Sequence, residues 1–168
     1  MALLHSSMVP LGTPAHDFSC LGIDGKQYGL SSFAQADVLV VVFMCNHCPY
    51  VQAMWDDLVA LAKAMPKEVA FVGINSNANP KYPEDSYEKM KEYAEARGQK
   101  FPYLYDEKQE VARAYDAQCT PDIFVYDADR FLAYRGAFAG LEPAIQALLK
   151  KEPVPEAPAS MGCSIKWN

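Results

Sequence analysis

Seven consecutive apolar residues, Val38 to Met44, run directly into Cys45-Asn46-His47-Cys48-Pro49 and then into a segment with helical periodicity. A short apolar run rich in β-branched residues suits a central strand covered on both faces. After it, Val51, Met54, Trp55, Leu58, Leu61, Ala62 and Met65 recur with i, i+3, i+4, i+7 spacing, so a helix is expected to leave the strand from Cys45 onward. Pro49 falls in its first turn, where a missing N–H costs little. Val69 to Ile74 follows as a second apolar strand. Strand, helix, strand in this order implies a parallel pair joined by a right-handed crossover.

The flanking segments extend that unit. Phe18 to Leu30 reads as two short strands around the turn Asp24-Gly25, with Ser31 or Ser32 capping a brief helix. Asp85 and Glu88 have capping-box spacing for a helix that Gly98 closes. Tyr103 to Tyr105 forms another strand, and Asp106 with Gln109 caps a helix through Tyr115. Ile123 to Tyr126, the turn Asp127 to Arg130 and the return strand Phe131 to Arg135 make a hairpin, and a helix from Leu141 to Lys150 closes the domain. The expected fold class is α/β: a mostly parallel central sheet with an antiparallel edge hairpin, helices on both faces and an N-terminal β-hairpin extension. Residues 1–151 form the expected domain, and residues 152–168 a proline-rich linker and C-terminal tail.

Composition narrows the class of partner. The chain has 168 residues, 51% of them apolar and 21% charged, which excludes a disordered chain and suits one domain with a real core. A net charge of −6 with no basic stripe argues against nucleic acid or an anionic membrane as partner. The longest apolar run is far short of the ~20 residues a membrane helix needs. The segment Met1 to Gly12 lacks a basic leader, so a soluble, cytoplasmic protein is expected. Five cysteines are too few for a disulfide scaffold, and in a reducing compartment they point to redox, catalytic or metal roles.

Cys45 and Cys48 place two thiols at the junction of a buried strand and a helix. Unpaired N–H groups and the helix dipole favour negative charge there, so Cys45 is expected largely as thiolate, attacking a substrate disulfide. Cys48, one turn inward, would then resolve the mixed disulfide. His47 is expected to add positive charge and lower the Cys45 pKa further. This two-electron exchange needs no cofactor. A zinc site would need two more ligands; no second CxxC or HxxxH is present, and Cys119 and Cys163 serve only if the tail folds back. Haem attachment needs a histidine where Pro49 stands. Farther on, Cys119-Thr120-Pro121 leads into the strand Ile123 to Tyr126, and Thr120-Pro121 is a candidate cis bond.

CNHCP after a buried strand, then TPDIFVYD, then a hairpin ending in YRG resembles the thioredoxin superfamily, whose cis-proline loop lies against the CxxC pair. The long separation of Cys48 from Pro121, together with AHDFSCLGIDGKQYGLSSF, resembles the peroxiredoxin-like branch: the alkyl hydroperoxide reductase/thiol-specific antioxidant (AhpC/TSA) family and TlpA/ResA-type CxxC oxidoreductases. The resemblance spans residues 9 to 150, and MGCSIKW is similar to the tail of a small peroxiredoxin-like group that carries CNHCPYV. It implies a thioredoxin-like fold and a thiol-disulfide oxidoreductase in which Thr120 and Pro121 present backbone to an extended substrate. The implied partners are a protein or small-molecule disulfide and an external thiol reductant, with no cofactor and no metal. Oligomeric state is not written in the sequence.

The chain departs from both patterns. Thioredoxin-like proteins usually have Trp before the first Cys and a buried acid beneath the pair; here Met44 and Leu39 stand there, leaving Glu84, Asp85 or water to handle the Cys48 proton. Peroxiredoxins resemble one another in PxxxTxxC; here Val38 and Val42 precede Cys45, and Val41 and Cys45 precede Cys48, at the matching positions. Arg130 and Arg135, at a turn and a strand end, are not assignable as peroxide-holding residues. Thiol peroxidase is therefore the alternative activity, and a non-enzymatic metal-binding or redox-sensing module the second alternative. Cys119 and Cys163 are candidate additional redox thiols. Cys20 and Trp55 read as packing residues, His5 and His16 have no ligand-spaced partners, and Lys81 to Lys91 reads as a solvated face.

Overall fold

A computed structural model describes residues 3–7 and 9–168, so part of the leading segment Met1 to Gly12 lies outside the described residues. In chain order the strands and helices are β1 (Leu3–His5), β2 (Cys20–Gly22), β3 (Gln27–Tyr28), β4 (Val38–Phe43), α1 (Pro49–Ala64), β5 (Val69–Asn75), α2 (Tyr87–Ala96), β6 (Tyr103–Tyr105), α3 (Glu110–Ala114), β7 (Cys119–Thr120), β8 (Asp122–Tyr126), β9 (Leu132–Gly136), α4 (Leu141–Leu149) and β10 (Met161–Ser164). The main sheet has the order β3-β2-β6-β5-β4-β8-β9. As expected, β4 and β5 are parallel, and α1 crosses over between them.

The sheet is more mixed than the sequence led us to expect. Five of its seven strands run in one direction, yet only β4/β5 and β5/β6 are parallel neighbours, because β2 and β8 run against the rest. Insertion of β2 beside β6 and of β8 beside β4 puts antiparallel ladders on both sides of the parallel trio. Alternation along β4 divides the core. Val38, Val40 and Val42 point to one face, against α1, α2 and α4; Leu39, Val41 and Phe43 point to the other, against α3, Phe18 and Phe33. Both sets are shielded from solvent, which is why the run could be apolar without interruption.

Helix α1 begins four residues later than expected. Pro49 occupies its first turn, and steric conflict with the proline ring keeps the preceding residue extended: Cys48 has φ −71° and ψ 125°. Cys48 is therefore the residue that caps the helix, and Cys45 to His47 form a loop. Helix α2 is capped by Ser86, whose hydroxyl accepts from the Lys89 N–H, and not by Asp85. At α3, Gln109 caps with a left-handed backbone (φ 61°), while the Asp106 carboxylate accepts from the N–H groups of Val111 and Ala112.

The tail returns to the body of the protein. After the proline-rich stretch, β10 lies between β1 and β7 in a small second sheet, in the order β1-β10-β7. Its register pairs Cys163 with Thr120 and Ser164 with Cys119. Ile165 then packs in the same core cluster as Leu39 and Phe124. No helix is long and apolar enough to cross a membrane among the described residues.

Candidate functional site

The loop between β4 and α1 is held by a buried polar network. Asp85, delivered by a 3-10 turn at Pro83–Asp85 and fully buried, accepts from the N–H of Asn46 (2.8 Å) and the N–H of His47 (3.1 Å). Its other carboxylate oxygen accepts from the Asn77 amide at 3.0 Å. Asn46, also buried, donates to the Glu84 carbonyl and accepts from the Tyr103 hydroxyl at 2.9 Å, while Gln52 donates to the Asn46 carbonyl. The backbone N–H groups of Asn46 and His47 and the Asn46 side chain thus find partners, so the loop can be both irregular and buried.

Cys45, Cys48 and Thr120 meet at the mouth of α1. The Cys45 sulfur lies 3.6 Å from the Thr120 hydroxyl, and the Cys48 sulfur 3.4 Å from the Thr120 carbonyl. The Thr120-Pro121 bond is cis. Cys45 is not at the solvent end, however: it is 1% exposed and Cys48 0%. The Cys48 sulfur lies 2.8 Å from a third, that of Cys163 on β10.

The electrostatics favour negative charge on the other thiol from the one expected. The adjacent Cys48 sulfur, burial and the Asp85 charge hold the proton on Cys45, well above the ordinary thiol range. Cys48 is pulled below that range by hydrogen bonding from the Cys45 thiol. Burial opposes this, and the Cys163 thiol, the Val51 N–H and Thr120 support it. Because α1 starts at Pro49, the free N–H groups and dipole face Cys48 rather than Cys45. The anion therefore belongs on Cys48.

His47 also differs from expectation. Its Nδ1 lies 2.7 Å from the Asp85 carboxylate, and its ring, 27% exposed, stacks on Tyr82 at 6.3 Å between centroids. Despite this proximity, the ring nitrogen makes no aligned hydrogen bond. The charge in that neighbourhood that acts on Cys45 is that of Asp85, which raises its pKa. Cys45, His47 and Asp85 offer three ligand atoms within 4.8 Å of one another, a donor set of the kind that holds a divalent cation. The Asp85 oxygens already accept from Asn46, His47 and Asn77, so such an ion would compete with the network that holds the loop.

Cys119 sits beside this cluster but shares none of its sulfur contacts. Its thiol donates weakly to the Pro121 carbonyl at 3.7 Å, and burial followed by the Asp122 charge pushes it up to about 12. Glu84, named with Asp85 as a proton acceptor, turns its carboxylate to Tyr93. A surface cleft lined by Cys20, Tyr87, Tyr105 and Val111 among others contains none of the clustered thiols.

Comparison with known proteins places this geometry. Residues 11–135 match the AhpC/TSA family. The chain belongs to the AhpC/TSA family. Among solved structures, an uncharacterized conserved protein of Geobacillus kaustophilus is 44% identical, with 100% of this chain and 97% of that one covered and a TM-score of 0.96. A hypothetical protein of Sinorhizobium meliloti 1021 is 37% identical over 98% of each chain, with a TM-score of 0.95. A thiol:disulfide interchange protein of the thioredoxin family from Chlorobium tepidum is 24% identical over 77% of this chain and 87% of that one, with a TM-score of 0.63. The fold is thus thioredoxin-like. No curated protein sequence matches significantly.

For a member of the AhpC/TSA family, the surroundings of the thiols are unusual against the pattern named above. Val38, Val41 and Val42 are core residues, and Arg130 donates to the carbonyls of Phe33, Ala36 and Asp127. Arg135 is buried in a pair with Asp122 at 2.8 Å and lies over the Phe124 ring. Neither guanidinium is directed at Cys45 or Cys48. The AhpC/TSA chain instead carries Asn46, Asn77, Asp85 and Tyr103 around its thiols, of which only Asp85 was read from the sequence, as a helix cap and as a candidate for the Cys48 proton.

Proposed function

We propose that the protein is a thiol-disulfide oxidoreductase in which Cys48, held beside Cys45, is the attacking thiolate. One observation carries this: two thiols converge at a helix mouth beside Thr120-Pro121, where hydrogen bonds and the helix end favour negative charge on Cys48. Cys48 attacks one sulfur of a substrate disulfide, and the other substrate sulfur leaves as a thiol after taking up a proton. A second thiol of the cluster then displaces the substrate from Cys48 and leaves the protein oxidised. An external dithiol restores it. Thr120 and Pro121 are positioning residues in this scheme, and His47 with Asp85 fixes the loop.

The test is reduction of insulin disulfides in the presence of a dithiol reductant. Activity is expected in the wild type and absent in Cys48→Ser. Turnover in Cys48→Ser equal to wild type would discard this assignment.

The seclusion of the thiols favours a second reading, that of a thiol peroxidase, because a small hydroperoxide reaches a closed site more readily than a protein does. There the Cys48 thiolate would take the terminal oxygen of a hydroperoxide to become a sulfenic acid, the O–O bond breaking and water or an alcohol leaving, and a neighbouring thiol would condense with it to a disulfide, releasing water. Peroxide consumption that depends on Cys48, with no insulin reduction, selects that chemistry. Stoichiometric zinc on the purified protein would instead support a metal-binding role for Cys45, His47 and Asp85.

A further inference from the structure

We propose that Cys163, carried by the C-terminal strand, is the thiol that resolves the bond formed at Cys48, closing a disulfide between residues 115 positions apart in the chain. This rests on the oxidoreductase assignment above and specifies its second half-reaction.

Proximity is the first ground. The two sulfurs are 2.8 Å apart, closer than the roughly 3.5–4.0 Å at which non-bonded carbon atoms settle. Strand register is the second. Cys163 is opposite Thr120 on β7 and opposite Leu3 on β1, so it is fixed from both sides, and Thr120 is the residue that touches both Cys45 and Cys48. The neighbouring Cys119 thiol meets the Pro121 carbonyl and shares none of the cluster's sulfur contacts. Of the two extra candidates, only Cys163 is placed to react with Cys48.

The tail that presents it is anchored on its far side too. The Lys166 N–H donates to Asn77, the Gln109 amide donates to the Lys166 carbonyl, and the Asn168 N–H donates to Gln109. The Arg113 guanidinium lies 4.8 Å from the Trp167 ring centroid. Gly162 allows the close approach of β10, since a Cβ there would overlap the Thr120 carbonyl. Asn77 links the two halves of this arrangement: its amide donates to Asp85, and its carbonyl oxygen accepts from the tail.

The chemistry balances with a disulfide as oxidant. Cys48 thiolate attacks the substrate, the substrate S–S bond breaks, and the departing sulfur takes a proton from solvent. Cys163 then attacks the Cys48 sulfur, the mixed S–S bond breaks, and the Cys163 proton goes to the second departing sulfur. The substrate gains two electrons and the Cys48 and Cys163 pair loses them. In the resting state burial and the Cys48 charge keep the Cys163 proton in place, while Lys166 favours its release. Forming the mixed disulfide removes the Cys48 charge, so Cys163 becomes easier to deprotonate when its attack is required.

Peptide mapping of the full chain tests this. Reduced protein is treated with oxidised glutathione, remaining thiols are alkylated, and the tryptic digest is analysed without reduction. Cys45 and Cys48 share the peptide Gln27 to Lys63, and Cys163 lies on Glu152 to Lys166. A cross-link between these peptides is expected in wild type and in Cys45→Ser, and its loss in Cys48→Ser. Cys163→Ser should retain a glutathione adduct on Cys48 and turn over at least tenfold more slowly. If Gln27 to Lys63 is bridged internally while Cys163 is alkylated, this inference fails and the oxidoreductase assignment stands. If neither bridge forms and insulin is not reduced, both fail.

Discussion

The His47 imidazole is 2.7 Å from the carboxylate of Asp85, a residue with no exposed surface. That contact changes what a histidine inside a CxxC motif can do, because the ring is turned to a buried carboxylate rather than to either sulfur. The Asp85 charge itself contributes to holding the Cys45 proton.

Replacing Asp85 with Asn keeps an oxygen for the Asn46 and His47 N–H groups but removes the charge. The Cys45 pKa should fall, and its titration midpoint, read from the 13Cβ shift of labelled cysteine, should move to lower pH. Hydrogen bonds to charged groups contribute about 1.5–3 kcal/mol, so Asp85→Asn should also lose stability on that scale in urea. A Cys45 midpoint that stays put would show that the Asp85 charge is not felt at the sulfur.

Cys48 should titrate far below the other two clustered thiols. Cys48 is pulled down to about 5, while burial and then the Cys48 interaction push Cys163 up to about 12. A thiol whose pKa is lower folded than unfolded stabilises the fold fully above the unfolded value of about 8.5. That contribution is lost as pH falls through the folded value. Stability should therefore decline from about pH 8.5 toward 5 with a slope of at most about 1.4 kcal/mol per pH unit from this group. Cys48→Ser should flatten the decline in urea titrations, and Cys45→Ser should not.

Much of this architecture was readable in the chain because it rests on local pattern. The run Val38 to Met44 could only be a strand buried on both faces, and the alternation of its side chains between two core clusters follows from strand geometry. The helix start was misplaced although the signal was present: a residue before proline resists helical angles, which assigns the cap to Cys48. Asp85 looked like a helix cap because capping is a local signal, whereas its actual partners, Asn46 and His47, are distant in sequence. The pairing of Cys163 with Thr120 had still less to announce it. A two-residue strand has no periodicity, and only Gly162 marks the approach.

Gly162→Ala should loosen the tail without touching any thiol. The added methyl would meet the Thr120 carbonyl and Pro121, backbone and ring atoms that cannot turn aside. β10 must shift, and with it Cys163 and the cover over Cys48. We expect iodoacetamide to modify Cys48 at least tenfold faster in this variant, with a lower Tm. Equal modification rates would mean that the tail does not control access.

Arg135 separates structural from chemical roles. Its guanidinium bonds to both oxygens of Asp122, to the Asp116 carbonyl and to the Ser7 hydroxyl. Burial raises the Asp122 pKa, and Arg135 is the main influence opposing that rise. Arg135→Met would leave a carboxyl group buried without its partner, and breaking a buried pair in this way costs about 3–5 kcal/mol. Urea denaturation should show a loss of that size, partly relieved by Asp122→Asn in the same chain because the stranded charge is then gone. Insulin reduction or peroxide consumption per folded molecule should stay within about twofold of wild type, since the guanidinium is spent on Asp122 rather than on the sulfurs. A selective loss of peroxide consumption with stability intact would instead place Arg135 in the chemistry, and would favour the peroxidase over the disulfide exchanger.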